Sequence, residues 1–144
     1  MSVCCFIGKS RCSFSEEDIK RLKDTIEDLI HQGVDTFYNG KKGDFDCECA
    51  KAVYDLKKKY NFIRNIKVIA YYSFKKEEGA IDYLFDESYY PSLEKVPYRY
   101  RYIERNKWMI RNSDFLICRV SSLGSSCGIK EYAQRRENIT IIDI

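Results

Sequence analysis

The sequence holds little of what usually fixes a function in advance. It has one histidine, His31, in 144 residues; no Ser-His-Asp arrangement can be argued around it, and alone it is too little for a histidine-based metal site. Its seven cysteines, Cys4, Cys5, Cys12, Cys47, Cys49, Cys118 and Cys127, include no CxxC pair, and Cys47 and Cys49 stand too close for the usual zinc spacing. No metal and no cofactor is expected, and reduced, mostly buried thiols fit a reducing compartment. No stretch approaches the roughly 18 consecutive apolar residues of a membrane helix, and the short apolar start has no basic region ahead of it, as a signal peptide would. A cytoplasmic chain without membrane contact is the expectation. Neither sign of charge dominates: 25 basic and 22 acidic residues, net +3, are largely interleaved, and this balance speaks against nucleic acid as a partner.

What is present is an alternating pattern. Val3 to Ile7 is a short buried-strand run ending at Gly8. Ser15 followed by Glu16, Glu17 and Asp18 is a helix start, and Ile19, Leu22, Ile26, Leu29 and Ile30 recur at helical spacing until Gly33. Val34 to Tyr38 is a second strand, stopping at Asn39-Gly40. Asp46 is placed to cap a second helix that carries Ala50, Val53 and Leu56 and ends in Lys57-Lys58-Lys59. Ile66 to Tyr72 is a third strand. Residues 73–98 hold both prolines, Pro91 and Pro97, and no sustained period, so they read as an irregular insertion. A third helix over Arg99–Asn112, a fourth strand over Phe115–Val120, a helix from about Ile129 to Arg136 and a last strand over Thr140–Ile144 follow. The expectation is an α/β, Rossmann-like, doubly wound and mostly parallel sheet of five strands with helices on both faces, formed by residues 1–144 as one domain.

Parallel strands place the loops after them on one edge, where ligands of such sheets bind. Three of those loops are polar. Gly8-Lys9-Ser10-Arg11 follows the first strand, Asn39-Gly40-Lys41-Lys42-Gly43 the second, and Gly124-Ser125-Ser126-Cys127-Gly128 the fourth. In the last, small residues let backbone N–H groups approach an oxyanion, and a helix N-terminus comes next. Around the third helix, Arg99, Arg101, Arg105, Lys107 and Arg111 alternate with Tyr98, Tyr100, Tyr102 and Trp108, which combines phosphate-binding and ring-stacking groups. Arg101 and Arg105 lie one turn apart, and Arg105 is placed to meet a phosphate. His31 reads as a surface histidine near a helix end.

Residues 105–114, Arg-Asn-Lys-Trp-Met-Ile-Arg-Asn-Ser-Asp, with the Gly124-Ser125-Ser126 loop and Tyr132-Ala133, resemble the "RNxxMvdxSD … GGT … YA" pattern of the SLOG superfamily. That group is Rossmann-like and includes the LOG phosphoribohydrolases and the DNA-uptake protein DprA. Asn39-Gly40 through Gly43, Phe45-Asp46, Ala50, Val53 and Leu56-Lys57 resemble its "GGAxGFDxxAA…V…LK" element, and Gly8 to Arg11 its "GHR"-like turn. The pattern is departed from at Asp44, an extra residue, and at Ser125, where glycine is expected. The resemblance implies a nucleotide-type pocket and a homodimer, with Gly8, Lys9, Ser10, Arg11, Asn39, Gly40, Arg101, Arg105, Asn106, Gly124, Ser125, Ser126 and Gly128 around the ligand. The catalytic "PGGxGTxxE" element is not reproduced, Glu131 being displaced from its glutamate. Binding of a phosphate-bearing nucleotide or nucleotide-derived small molecule is therefore the leading expectation. Cleavage or transfer at an N-glycosidic bond, with Glu104, Asp114 or Glu131 as acid or nucleophile, is the first alternative. Single-stranded nucleic-acid binding is the second, with the Arg/Tyr segment for it and the charge balance against it.

Overall fold

The computed structural model describes residues 2–71, 82–119 and 125–144, apart from the side chains of residues 125–127. Its elements are β1 (Ser2–Gly8), α1 (Glu16–His31), β2 (Val34–Asn39), α2 (Asp44–Lys57), β3 (Arg64–Val68), β4 (Glu87–Tyr89), α3 (Arg101–Arg111), β5 (Phe115–Arg119), α4 (Ser125–Gln134) and β6 (Thr140–Asp143). Short 3-10 turns at Asp82–Leu84 and Tyr98–Tyr100 flank β4. The sheet runs β4-β3-β2-β1-β5-β6, and every neighbouring pair is parallel.

Side-chain alternation along β1 explains the layers. Cys4 and Phe6 point into one core with Leu22, Ile26 and Leu29 of α1 and Phe45 and Val53 of α2. Cys5 and Ile7 point into the other, with Met109 and Ile110 of α3 and Ile129 and Ala133 of α4. All four β1 residues are buried, as the central strand of a doubly covered sheet requires. The start of α1 matches its signature: Ser15 Oγ accepts from Asp18 N at 3.1 Å and Asp18 Oδ2 from Ser15 N at 3.1 Å, a reciprocal capping box.

The structure departs from the expected elements in three places. The sheet has six strands, because Glu87–Tyr89 adds a strand from within the stretch read as irregular. Asn65 builds that addition. Its buried amide donates to Leu84 O at 3.1 Å and Ala50 O at 3.3 Å, and its backbone N–H bonds Asp86 Oδ2 at 2.7 Å. The second helix starts at Asp44 and is capped by Gly43, at φ +97°, with no side-chain hydrogen bond. Asp46 therefore lies inside the first turn and is buried. The last helix starts at Ser125, so Ser125, Ser126 and Gly128 belong to its opening turn and not to a loop.

Candidate functional site

Strand order reverses between β1 and β5: the chain moves outward from β1 through β2 and β3 on one side, and through β5 and β6 on the other. The crevice outside the carboxyl ends of these two strands is the ligand position of such sheets. It is bordered by residues 8–11 after β1 and by the start of α4. Residues 120–124, Gly124 among them, and the side chains of Ser125 and Ser126 lie outside the described residues.

Two of the polar loops are locked together. A Cβ on Gly8 would lie 2.3 Å from the Phe45 ring, and one on Gly43 2.4 Å from Ser10 Cα, so only glycine lets α2 start this close to the end of β1. Ser10 O accepts from Asp44 N at 2.9 Å and Lys9 O from Phe45 N at 3.4 Å. The first amides of α2 are thus satisfied by the β1 loop, and the carboxylates of Asp44 and Asp46 stand in the same turn. This helix N-terminus is closed to an anion. Facing outward from the β1 loop are Lys9, partly exposed, and Ser10 and Arg11, exposed. Neither cation forms an ion pair among the described residues.

Beneath the β2 loop is a buried polar cluster. Asn39 uses both ends of its amide locally, Nδ2 donating to Asp46 O at 2.8 Å and Oδ1 accepting from Lys41 N at 2.7 Å. Asp46 Oδ2 accepts from Lys42 N at 2.8 Å. Burial pushes its carboxyl up to about 6, against the Lys42 amide and the charges of Arg105 and Lys42, which favour the anion. Arg105 is 3% exposed. Its Nη1 donates to Gly40 O at 2.9 Å and to Val68 O at 3.2 Å, and its Nε to Asn106 Oδ1 at 2.9 Å. One guanidinium thereby ties together the ends of β2 and β3. Gly40 has no side chain because Arg105 occupies the space: a Cβ there would lie 2.6 Å from its Cζ. Gly40, Arg105 and Asn106 are in contact beneath the loop, with Asn39 beside Gly40 in the chain.

Arg101 is turned back on the chain, its Nε donating to Val96 O at 3.2 Å and its Nη2 to Glu94 O at 3.3 Å. The three candidate carboxylates are not brought together. Glu104 is on the first turn of α3, 3.8 Å from Lys107 Nζ, and Glu131 is exposed on α4. Asp114 precedes β5, at the opposite edge of the sheet, where its carboxylate accepts from Val3 N at 2.9 Å and its own N–H donates to Val3 O at 2.8 Å. Gly128 is exposed within α4, with nothing within 4 Å of where a Cβ would sit. His31 is exposed, with Nε2 2.9 Å from Tyr60 Oη.

Two contributors were not among the expected site residues. Tyr71, beyond β3, packs 4.5 Å from the Tyr98 ring and 5.1 Å from Tyr102, and its hydroxyl donates to Tyr98 O at 3.0 Å. The ammonium of Lys42 stands 3.7 Å above the Tyr102 ring. Alternate tyrosines at 98, 100 and 102 were the available signal for this cluster. Tyr71 and Lys42 join it only through the fold.

Compared by sequence, the chain matches no protein-family model and no curated protein. Compared by structure, it is similar to the structural-genomics target TM1055 (TM-score 0.55, 13% identity, 92% of this chain and 68% of that one). It is also similar to the molybdenum cofactor carrier protein of Chlamydomonas reinhardtii (TM-score 0.59, 11% identity, 99% and 76%). A third is DNA processing protein A of Helicobacter pylori, whose structure concerns single-stranded DNA binding (TM-score 0.61, 14% identity, 99% and 64%). The chain spans about two thirds of that last protein. With its parallel sheet, covered on both faces and reversing at β1 and β5, the chain has a Rossmann-like α/β fold shared with these structures.

Proposed function

We propose that the chain binds a phosphate-bearing nucleotide or nucleotide-derived small molecule, to sense, sequester or carry it, in the crevice between the carboxyl ends of β1 and β5. The observation that carries this reading is the reversal of strand order at β1 and β5, next to a loop whose outward groups are Lys9, Ser10 and Arg11. The N-terminus of α4 lies on the other border, where it can face a phosphate, whereas that of α2 is closed by the β1 loop. Arg105, Asn39 and Gly40 act as positioning residues that hold the β2 loop in place. Among the neighbours, one carries a molybdenum cofactor and one binds single-stranded DNA, which agrees with a binding role. The three candidate carboxylates are dispersed over separate elements, and nothing in their placement favours the cleavage alternative.

Calorimetric titration with nucleoside monophosphates tests the proposal. Lys9→Ala combined with Arg11→Ala is expected to weaken binding about ten- to a hundredfold, as loss of charge-assisted bonds does, with an unchanged melting temperature. Equal affinity in the variant, or no nucleotide binding by the native chain, refutes it.

A further inference from the structure

α3 and α4 pack side by side over one face of the sheet, and because the strands are parallel both helices end at the edge opposite the crevice. Both ends carry arginine: Arg111 is the last residue of α3, and Arg135 and Arg136 follow Gln134, the last of α4. A helix C-terminus favours a nearby cation, which accounts for the charge but not for where these side chains go. Carbonyls of both last turns are met by the chain itself, Trp108 O accepting from the Asn112 side chain at 2.8 Å and Ala133 O from Arg136 N at 3.0 Å. Arg101 and Arg105 point their forks at carbonyls, whereas Arg111 and Arg136 converge on one phenol. Arg111 Nη1 lies 3.5 Å from Tyr132 Oη, and Arg136 donates to the same oxygen. Burial works against ionisation of this phenol, but the hydrogen bonds and charges of the two arginines outweigh it and hold the phenol below its usual range. Neither arginine forms an ion pair among the described residues. Two guanidiniums thus share one neutral acceptor, which leaves most of their N–H donors to solvent.

The same two arginines line a groove of about 270 Å3, together with Asn138 and Asp114. We infer that this groove binds a small oxyanion of two charges, a phosphate ion or the phosphate group of a small phosphomonoester, held between the guanidiniums of Arg111 and Arg136. Planar forks match the oxygens of such a group two at a time, and charge-assisted bonds to it replace a shared bond to a neutral phenol. A dianion also relieves the repulsion of two cations directed at one point. Lys107, 5.3 Å from the centre of the Tyr132 ring, has Glu104 beside it at 3.8 Å, and Asp114 keeps one carboxylate oxygen on Val3 N at 2.9 Å. The arginine pair is therefore the charge left to answer, and two negative charges match it better than a longer polyanion would. The size of the groove agrees, since sites for drug-sized molecules take about 300–1,000 Å3. The inference does not rest on the crevice reading, because its residues stand at the other edge of the sheet from Lys9, Ser10 and Arg11.

The test follows the arginine Nε–Hε signals of the full chain by NMR while orthophosphate, and in a second series glycerol phosphate, replaces chloride at constant ionic strength. The Arg111 and Arg136 signals should shift and saturate with a dissociation constant of about 1 mM or tighter, and should do so equally in the Lys9→Ala, Arg11→Ala chain. Arg136→Gln should weaken binding about ten- to a hundredfold, and Arg136→Lys should recover part of it, because the ammonium keeps the charge without the fork. Arg111→Gln, at an exposed position, should show the same loss with an unchanged melting temperature. Tighter binding of glycerol phosphate identifies the ligand as a phosphomonoester, and equal or weaker binding identifies it as the free ion. Shifts that fail to saturate at Arg111 and Arg136, or that vanish in the Lys9 and Arg11 variant, overturn the inference. So does a lower melting temperature in both glutamine variants with phosphate affinity unchanged, which assigns the arginines to the helix ends alone.

Discussion

Replacing Arg105 by alanine should unfold the chain more readily in the absence of any ligand. Three groups lose their partner at once: the carbonyls of Gly40 and Val68 and the side-chain oxygen of Asn106. An unsatisfied buried acceptor costs about 1–3 kcal/mol. Asp46 also loses a nearby positive charge, and removing one partner of a buried charge pair costs about 3–5 kcal/mol when the other stays ionised. Asp46 need not stay ionised, since its carboxyl is already pushed up to about 6 and rises further without Arg105. Protonation caps the electrostatic part, so the total at neutral pH should be about 3–5 kcal/mol. For a chain of 144 residues that corresponds to a melting temperature lower by about 10–17 °C. Arg105→Lys should show a smaller drop, because an ammonium cannot span the ends of two strands as the planar fork does. The deficit of the alanine variant should also widen from pH 5 to pH 8, as Asp46 is driven to ionise without its counter-charge. Differential scanning calorimetry at both pH values measures this. A ligand-free variant melting within about 2 °C of the native chain refutes the structural role and returns Arg105 to the ligand.

Gly40→Ala should destabilise by about 1–3 kcal/mol through collision with the guanidinium, and the penalty should shrink when Arg105→Ala is already present. Denaturant melts of the four chains form the cycle, and simple additivity contradicts the contact. Asp46→Asn should change how stability depends on pH. Because the native carboxyl titrates near 6, above its unfolded value, the native chain binds the extra proton and loses that stabilisation as pH rises from about 4 to about 6. Urea midpoints should therefore shift in favour of the asparagine variant between pH 4.5 and pH 7, and parallel curves would contradict a buried, upshifted Asp46.

The alternation of strands and helices was legible because each element carries its own local signal: the Ser15 capping box, the five spaced apolar residues of α1, the unbroken apolar run of β1. What escaped the sequence depends on distant partners. β4 has only three residues, all exposed, and is held by Asn65 and Asp86, so no pattern within it announces a strand. Asp46 resembles a capping residue by type. The close fits of Gly43 on Ser10 and of Gly8 on Phe45 move the cap of α2 from Asp46 back to Gly43, three residues earlier, and leave Asp46 buried. Arg105 reads equally well as a phosphate ligand or as a tie between strands, and its burial, which separates the two, is a property of the assembled sheet.

The strand at the middle of the sheet is also the first to be synthesised, and this sets the order in which the molecule can be completed. β1 finds β2 about thirty residues later, but its other edge waits for β5, with Cys5 pairing opposite Leu116. Until more than a hundred residues have followed, that edge has open hydrogen-bonding groups. Over the same interval the face bearing Cys5 and Ile7 has no cover, because Met109 and Ile110 arrive with α3, and Ile129 and Ala133 with α4. A nascent chain interrupted near residue 100 would display an apolar sheet face beside an unpaired strand, the combination most prone to wrong pairing. Closing so long a loop is also entropically slow. The rate-limiting step of folding should therefore be the docking of the C-terminal third onto a half-sheet already formed by β1, β2 and β3.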